Sequence, residues 1–154
     1  MKHVPSHRFV ARTILLALAA CAAPSSQFVP LPSQDVEVSS SAVSRIYVMR
    51  LPQVKGAFRD LRVKENEREI GSLGGQSFVC WERPPGRSLV VVTYEGTAFS
   101  KDDRESMIDV QAEAGQAYYY GITVDDAWNK AVVQLLDRDE GRKVLQELGA
   151  AKTH

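Results

Sequence analysis

The sequence predicts a mainly β domain, a small antiparallel β-sandwich of about seven strands with one C-terminal amphipathic helix. Three observations predict it. Short alternating or apolar runs recur at about ten-residue spacing from Ser44 to Leu136. Turn-forming segments separate them, clearest at Gly74-Gly75, Arg83-Pro84-Pro85-Gly86 and Glu113-Ala114-Gly115-Gln116. Only after Leu136 does the apolar period change from that of a strand to that of a helix.

Taken in order, Ile46, Val48 and Leu51 open the first strand. Phe58 to Lys64 places a polar residue at every second position over part of its length, Glu65-Asn66-Glu67-Arg68 turns, and Glu69-Ile70-Gly71-Ser72-Leu73 returns, which predicts a hairpin. Ser77 to Trp81 is the next strand. Leu89 to Tyr94 is so nearly all Leu, Val and Tyr that it reads as a strand buried on both faces or one at the centre of a sandwich. Glu95 to Arg104 is a polar loop, Ser106 to Ala112 alternates, and Ala117 to Val124 and Ala131 to Leu136 complete the set around a connection at Asp125 to Lys130. Asp137 followed three residues later by Glu140 is a capping-box pattern, Val144, Leu145, Leu148 and Ala151 fall on one helical face, and Gly149 offers a stop. A helix over 138–148 follows.

Two segments precede this domain. Lys2, Arg8 and Arg12 form a basic region, and Ile14 to Ala20 is an apolar run shorter than the roughly 20 residues that span a bilayer. Residues 1–20 therefore read as a secretory signal. Its ending, Leu18-Ala19-Ala20-Cys21, resembles the lipobox of bacterial lipoproteins. That resemblance implies cleavage between Ala20 and Cys21, a diacylglyceryl thioether on Cys21 and acylation, for example by palmitate, of the new amino terminus. Two or three chains on one residue give a stable membrane anchor where one would not. By resemblance to the sorting pattern of enteric lipoproteins, in which Asp at this place retains a protein in the inner membrane, Ala22 implies the periplasmic face of the outer membrane. Residues 21–43, with Pro24, Pro30, Pro32 and many serines, are expected to be a flexible tether with an end-to-end distance of roughly 25 Å. A short edge strand around Val36 to Val38 is the alternative there, and 44–154 is the folded domain.

Composition narrows function. Loss of residues 1–20 removes three of 19 basic residues and none of 19 acidic ones, leaving a net charge of −3. Without a dense basic cluster there is no electrostatic case for nucleic acid. The three histidines are His3, His7 and His154, so the span from Cys21 to Thr153 holds no imidazole for a catalytic triad or a zinc site. Cys80 is the one cysteine left beside Cys21 and sits in Phe78-Val79-Cys80-Trp81, where it reads as a small buried thiol. Asp102-Asp103, Asp125-Asp126 and Asp137-Arg138-Asp139-Glu140 read as solvated loops and a helix N-terminus. No catalytic residue, metal or cofactor is expected.

From about Arg45 to Lys152 the chain resembles the bacterial family called domain of unknown function 2846, found largely in lipoproteins. The motifs are Glu69-Ile70-Gly71-Ser72-Leu73, the Pro84-Pro85-Gly86 turn before an apolar strand, Gly115-Gln116-Ala117-Tyr118-Tyr119, and a last strand leading into an acidic helix. The strand, Pro-Gly turn, strand unit also resembles PEGA-type surface sandwiches. These likenesses imply an immunoglobulin-like or transthyretin-like sandwich and no catalytic residue. Cys80-Trp81 and the charged loop near Asp102 depart from the family pattern.

The expected function is a lipid-anchored, non-catalytic binding or scaffolding module of the cell envelope, meeting the membrane through Cys21 and an envelope protein through its surface. Tyr118, Tyr119, Tyr120 and the loop residue Trp128 are the candidate surface, and an exposed sheet edge is another. A small-ligand or glycan carrier, which needs a pocket above roughly 300 Å³, is the alternative. A carboxylate hydrolase ranks last. Cys21→Ser is expected to release the protein into the soluble envelope fraction and to abolish metabolic labelling with palmitate; a membrane-bound, unlabelled wild type would refute lipidation.

Overall fold

The computed structural model describes residues 25–53, 60–94, 104–125 and 130–153. Eight strands of five to nine residues form the body: β2 (Ser44–Arg50), β3 (Leu61–Glu65), β4 (Arg68–Leu73), β5 (Ser77–Arg83), β6 (Gly86–Tyr94), β7 (Arg104–Ala112), β8 (Ala117–Asp125) and β9 (Lys130–Leu136). Three two-residue strands join them, β1 (Ser26–Gln27), β10 (Gly149–Ala150) and β11 (Lys152–Thr153), with one helix, α1 (Arg138–Glu147). The predicted sandwich is present. Sheet A runs β11-β1-β4-β3-β6-β7 and sheet B runs β10-β5-β2-β8-β9.

Local chemistry explains the predicted elements. Asn66 and Glu67 both take positive φ in the two-residue β3–β4 turn, the backbone whose twist suits a tight hairpin. Gly86 at φ 123° and Gly115 at φ 75° serve the connections from β5 to β6 and from β7 to β8. Alternate residues of β3, β6 and β7 point between the sheets, where Leu61, Val63, Val90, Val92 and Val110 meet Ile46, Val48, Tyr120 and Ile122 of sheet B. The Asp137 side chain accepts from the Glu140 N–H at 2.9 Å, so the predicted cap starts the helix.

The most consequential difference lies before Ser44. Residues 25–43, expected as a flexible tether, are laid on the domain. Ser26 and Gln27 pair with β4 on one side and β11 on the other. Gln27 is fully buried; its Nε2 donates to the carbonyls of Cys80 and Val29, and its Oε1 accepts from the Cys80 N–H. The side-chain amide thus acts as one more rung beside β5, continuing the edge that β10 begins at Ser77 and Phe78. Gly71 permits this, since a Cβ there would stand 2.3 Å from the Ser26 carbonyl. The span 34–37 is a series of bends rather than the alternative edge strand.

Alternation within strands could not reveal their neighbours. β2 pairs with β8 in parallel, and the chain after α1 crosses from sheet B to sheet A through the buried Ala151. On the opposite flank β7 and β9 end their sheets side by side, and the Ser106 hydroxyl donates to the Ala131 carbonyl across the seam. Gln27→Ala should strand two buried backbone groups at Cys80 and cost about 1–3 kcal/mol in urea unfolding, whereas Gln34→Ala should be nearly neutral. Equal effects would deny Gln27 its special place.

Candidate binding surface

Three of the six residues singled out from sequence fall where they do not form an open surface. Tyr119 and Tyr120 are buried, on opposite faces of β8, and Tyr118 is partly buried, packed against the inter-sheet core. The correction has a physical cause. β8 is an inner strand, flanked by β2 and β9, and both of its faces are covered, one by sheet A and the other by α1 and the segment before β2. The Tyr118 hydroxyl accepts from the Glu113 N–H at 2.9 Å. Ala20, Cys21 and Trp128 lie outside the described residues, as do Asp102, Asp103 and Asp126.

The outer face of sheet B is a closed polar and aromatic layer. The Tyr47 and Tyr119 rings stack at 4.9 Å and 5°, and Gly141 of α1 rests on Tyr119 so closely that a Cβ would stand 2.3 Å from the ring. Beneath residues 33–39 the Arg45 guanidinium is fully buried. Its Nη1 donates to the carbonyls of Ser33 and Val36 and to the Tyr47 hydroxyl, while Nε and Nη2 donate to Glu82 Oε1 at 3.1 and 2.7 Å. Burial alone would raise the Glu82 pKa, but hydrogen bonds from Ser39 and Arg45 hold it below the ordinary 4.5. Arg138 hydrogen bonds hold Glu37 below the same value, and Glu37 in turn accepts from the Tyr119 hydroxyl. A groove of about 200 Å³ remains between this segment and α1, lined by Gln34, Glu37, Tyr47, Tyr119 and Arg142.

Cys80 belongs to this layer and is fully buried beside Tyr47 and Phe78. Desolvation pushes its pKa to about 12, which keeps it a thiol, the unreactive form. Trp81 is also interior, donating its indole N–H to Glu65 Oε2 at 2.9 Å.

What the sheets leave open is on the other flank. Met107 is 67% exposed on the outer face of β7, beside Leu89 and Val91 of β6. These three, with Lys64, Asn66, Glu67 and Glu105, line a surface depression of about 790 Å³. Met107 and Glu105 also line the seam depression of about 480 Å³, where they meet Lys130, Val132 and Val133 of β9. An apolar band therefore passes from the open face of sheet A over its last strand to the last strand of sheet B. Val132 is 47% exposed and Leu135 64%. The sequence carried a signal for it. Met107 stands among Glu105, Asp109 and Gln111 on the outward phase of β7, and Val132 stands between Lys130 and Gln134 on the outward phase of β9. Each is an apolar residue on the polar phase of a strand that ends its sheet.

An apolar centre with a charged rim on strands that end both sheets suits a protein partner. The larger depression exceeds the volume a small-ligand site needs, but its apolar side chains stay open to water, whereas such sites enclose most of their ligand. Among the described residues no group of three or more His, Cys, Asp or Glu side chains is placed to hold a metal ion. No known protein family, no curated protein and no solved structure matches the chain.

The two depressed carboxyl pKa values have a consequence for stability. Stabilisation from Glu37 and Glu82 is complete above about pH 4.5 and is lost as pH falls through their lower folded values. The urea midpoint should drop as pH falls below about 4.5, and Glu37→Gln with Glu82→Gln should start lower but drop less on the same acid limb. Parallel profiles would show that these ion pairs do not set the acid limb.

Proposed function

We propose that this protein is a lipid-anchored lipoprotein of the cell envelope that binds or scaffolds an envelope protein without catalysis. The observation that carries the binding reading is the Met107 band, a run of exposed apolar side chains on the two strands that end the sheets. Natural edge strands are ordinarily blunted by charge, proline or cover, because exposed apolar edges attract other chains. Here Lys64, Glu105 and Lys130 rim the band and leave its centre apolar. Such a centre favours specific docking over solubility alone.

The anchor reading rests on Leu18-Ala19-Ala20-Cys21 and on the short apolar run before it. The likeness to the lipoprotein family of domain of unknown function 2846 is part of the same proposal. Together they give an outer-membrane protein facing the periplasm, held by lipid on Cys21. The small-ligand or glycan carrier is the weaker reading, since the depression that could take a ligand is open.

A photoactivatable residue at Met107 should yield one discrete adduct in intact cells, identified by mass spectrometry as an envelope protein. Val132→Asp should abolish that adduct with little change in stability, because substitutions on an exposed strand face typically move it by no more than about 0.5 kcal/mol. No adduct from position 107 in a folded, correctly localised protein would overturn the docking role of the band.

A further inference from the structure

We infer that the domain lies directly on the bilayer, with its β1 corner at the lipid surface, Phe28 in the interface and the Met107 band facing away from the membrane. The inference rests on lipidation of Cys21, proposed above, and adds an orientation to it.

The argument begins with how early the chain is fixed. The Ser25 hydroxyl donates to Ser77 Oγ at 2.6 Å and accepts from the Gly74 N–H at 2.8 Å. Ser26 and Gln27 are held in sheet A, the Gln27 side chain is bonded to Cys80 of sheet B, and the Phe28 N–H donates to the Ile70 carbonyl at 2.9 Å. Covalent geometry then limits the anchor. Four residue steps separate Cys21 from Ser25, and even fully extended they span at most about 14 Å. The headgroup layer on one side of a bilayer is itself about 5–7 Å thick. A lipidated Cys21 at that layer therefore keeps the β1 corner beside it. A free tether of about 20 residues would have allowed the domain to turn at a distance of roughly 25 Å.

The surface at that corner suits a lipid interface. Phe28, three residues beyond Ser25, is 50% exposed although it is among the largest apolar side chains in the chain. Aromatic side chains near an anchor partition into the headgroup boundary, where their rings leave water. Sheet order then places the docking band. β1 and β7 are separated by four strand spacings in sheet A, about 19 Å at about 4.8 Å each. Anchor and band thus occupy opposite flanks of one sheet.

The test uses the full lipidated chain, isotope-labelled, in nanodiscs of phosphatidylethanolamine and phosphatidylglycerol that carry a nitroxide on a headgroup. Amide signals of Ser26, Phe28 and Ile70 should be lost to paramagnetic broadening, while those of Glu105 to Asp109 persist. Inserting about ten Gly/Ser residues after Ala23 should restore the lost signals. Equal broadening on both flanks, or none on either, in a protein whose Cys21 mass shows the lipid would overturn the orientation and leave the anchor standing. An unmodified Cys21 would overturn both.

Discussion

The Arg45 guanidinium is the constraint on which the rest of the arrangement depends. A charge with no exposed surface must find partners for its donors, because a guanidinium taken from water and left unpaired costs several kcal/mol. Sheet B alone supplies Glu82 and Tyr47. The remaining acceptors, the carbonyls of Ser33 and Val36, come from the segment before β2. That segment therefore has to cross the outer face of the sheet. Once it does, Gln34 reaches Tyr47, Ser39 reaches Glu82, and Glu37 links Tyr119 to Arg138 of the helix.

This layer does more than shield the sheet. It closes over Cys80 and the stacked Tyr47 and Tyr119 rings, so a face that could have been an aromatic binding surface becomes a second small core. Gly141 completes it, because only a residue without a side chain lets α1 lie on the Tyr119 ring. Glycine within a helix is otherwise unfavourable by about 1 kcal/mol relative to alanine, and close packing is what compensates for it here. With this face closed, the apolar surface left open lies on the flank where β7 and β9 end their sheets.

The two flanks of the sandwich have opposite characters for a related reason. On one, β1 covers the edge of β4 and is itself covered by β11, while β10, Ala151 and the Gln27 side-chain amide satisfy the edge of β5. On the other, the Ser106 hydroxyl bridges β7 and β9, and Met107 and Val132 stay exposed beside it. The proposed anchor belongs to the first flank and the proposed docking band to the second. Under the proposed lipidation of Cys21, an anchor four residues before Ser25 leaves the opposite flank as the one open to the proposed partner.

The sequence by itself determined the strands from β2 to β9 within a few residues and the capped helix, because these depend on neighbours in the chain. Alternation sets which side chains share a face, Asn66, Gly86 and Gly115 set where the chain can reverse, and Asp137 caps its own helix. It also held the clue to Met107, an apolar residue on a polar phase. Tertiary structure alone decided that β2 and β8 run in parallel, that Tyr119 and Tyr120 are interior, and that residues 25–43 belong to the domain. Prolines and serines there give no local period, so the segment reads as a coil. Its order comes from Gln27 and Arg45 finding backbone partners up to 53 residues away, a distance along the chain at which local pattern carries no information.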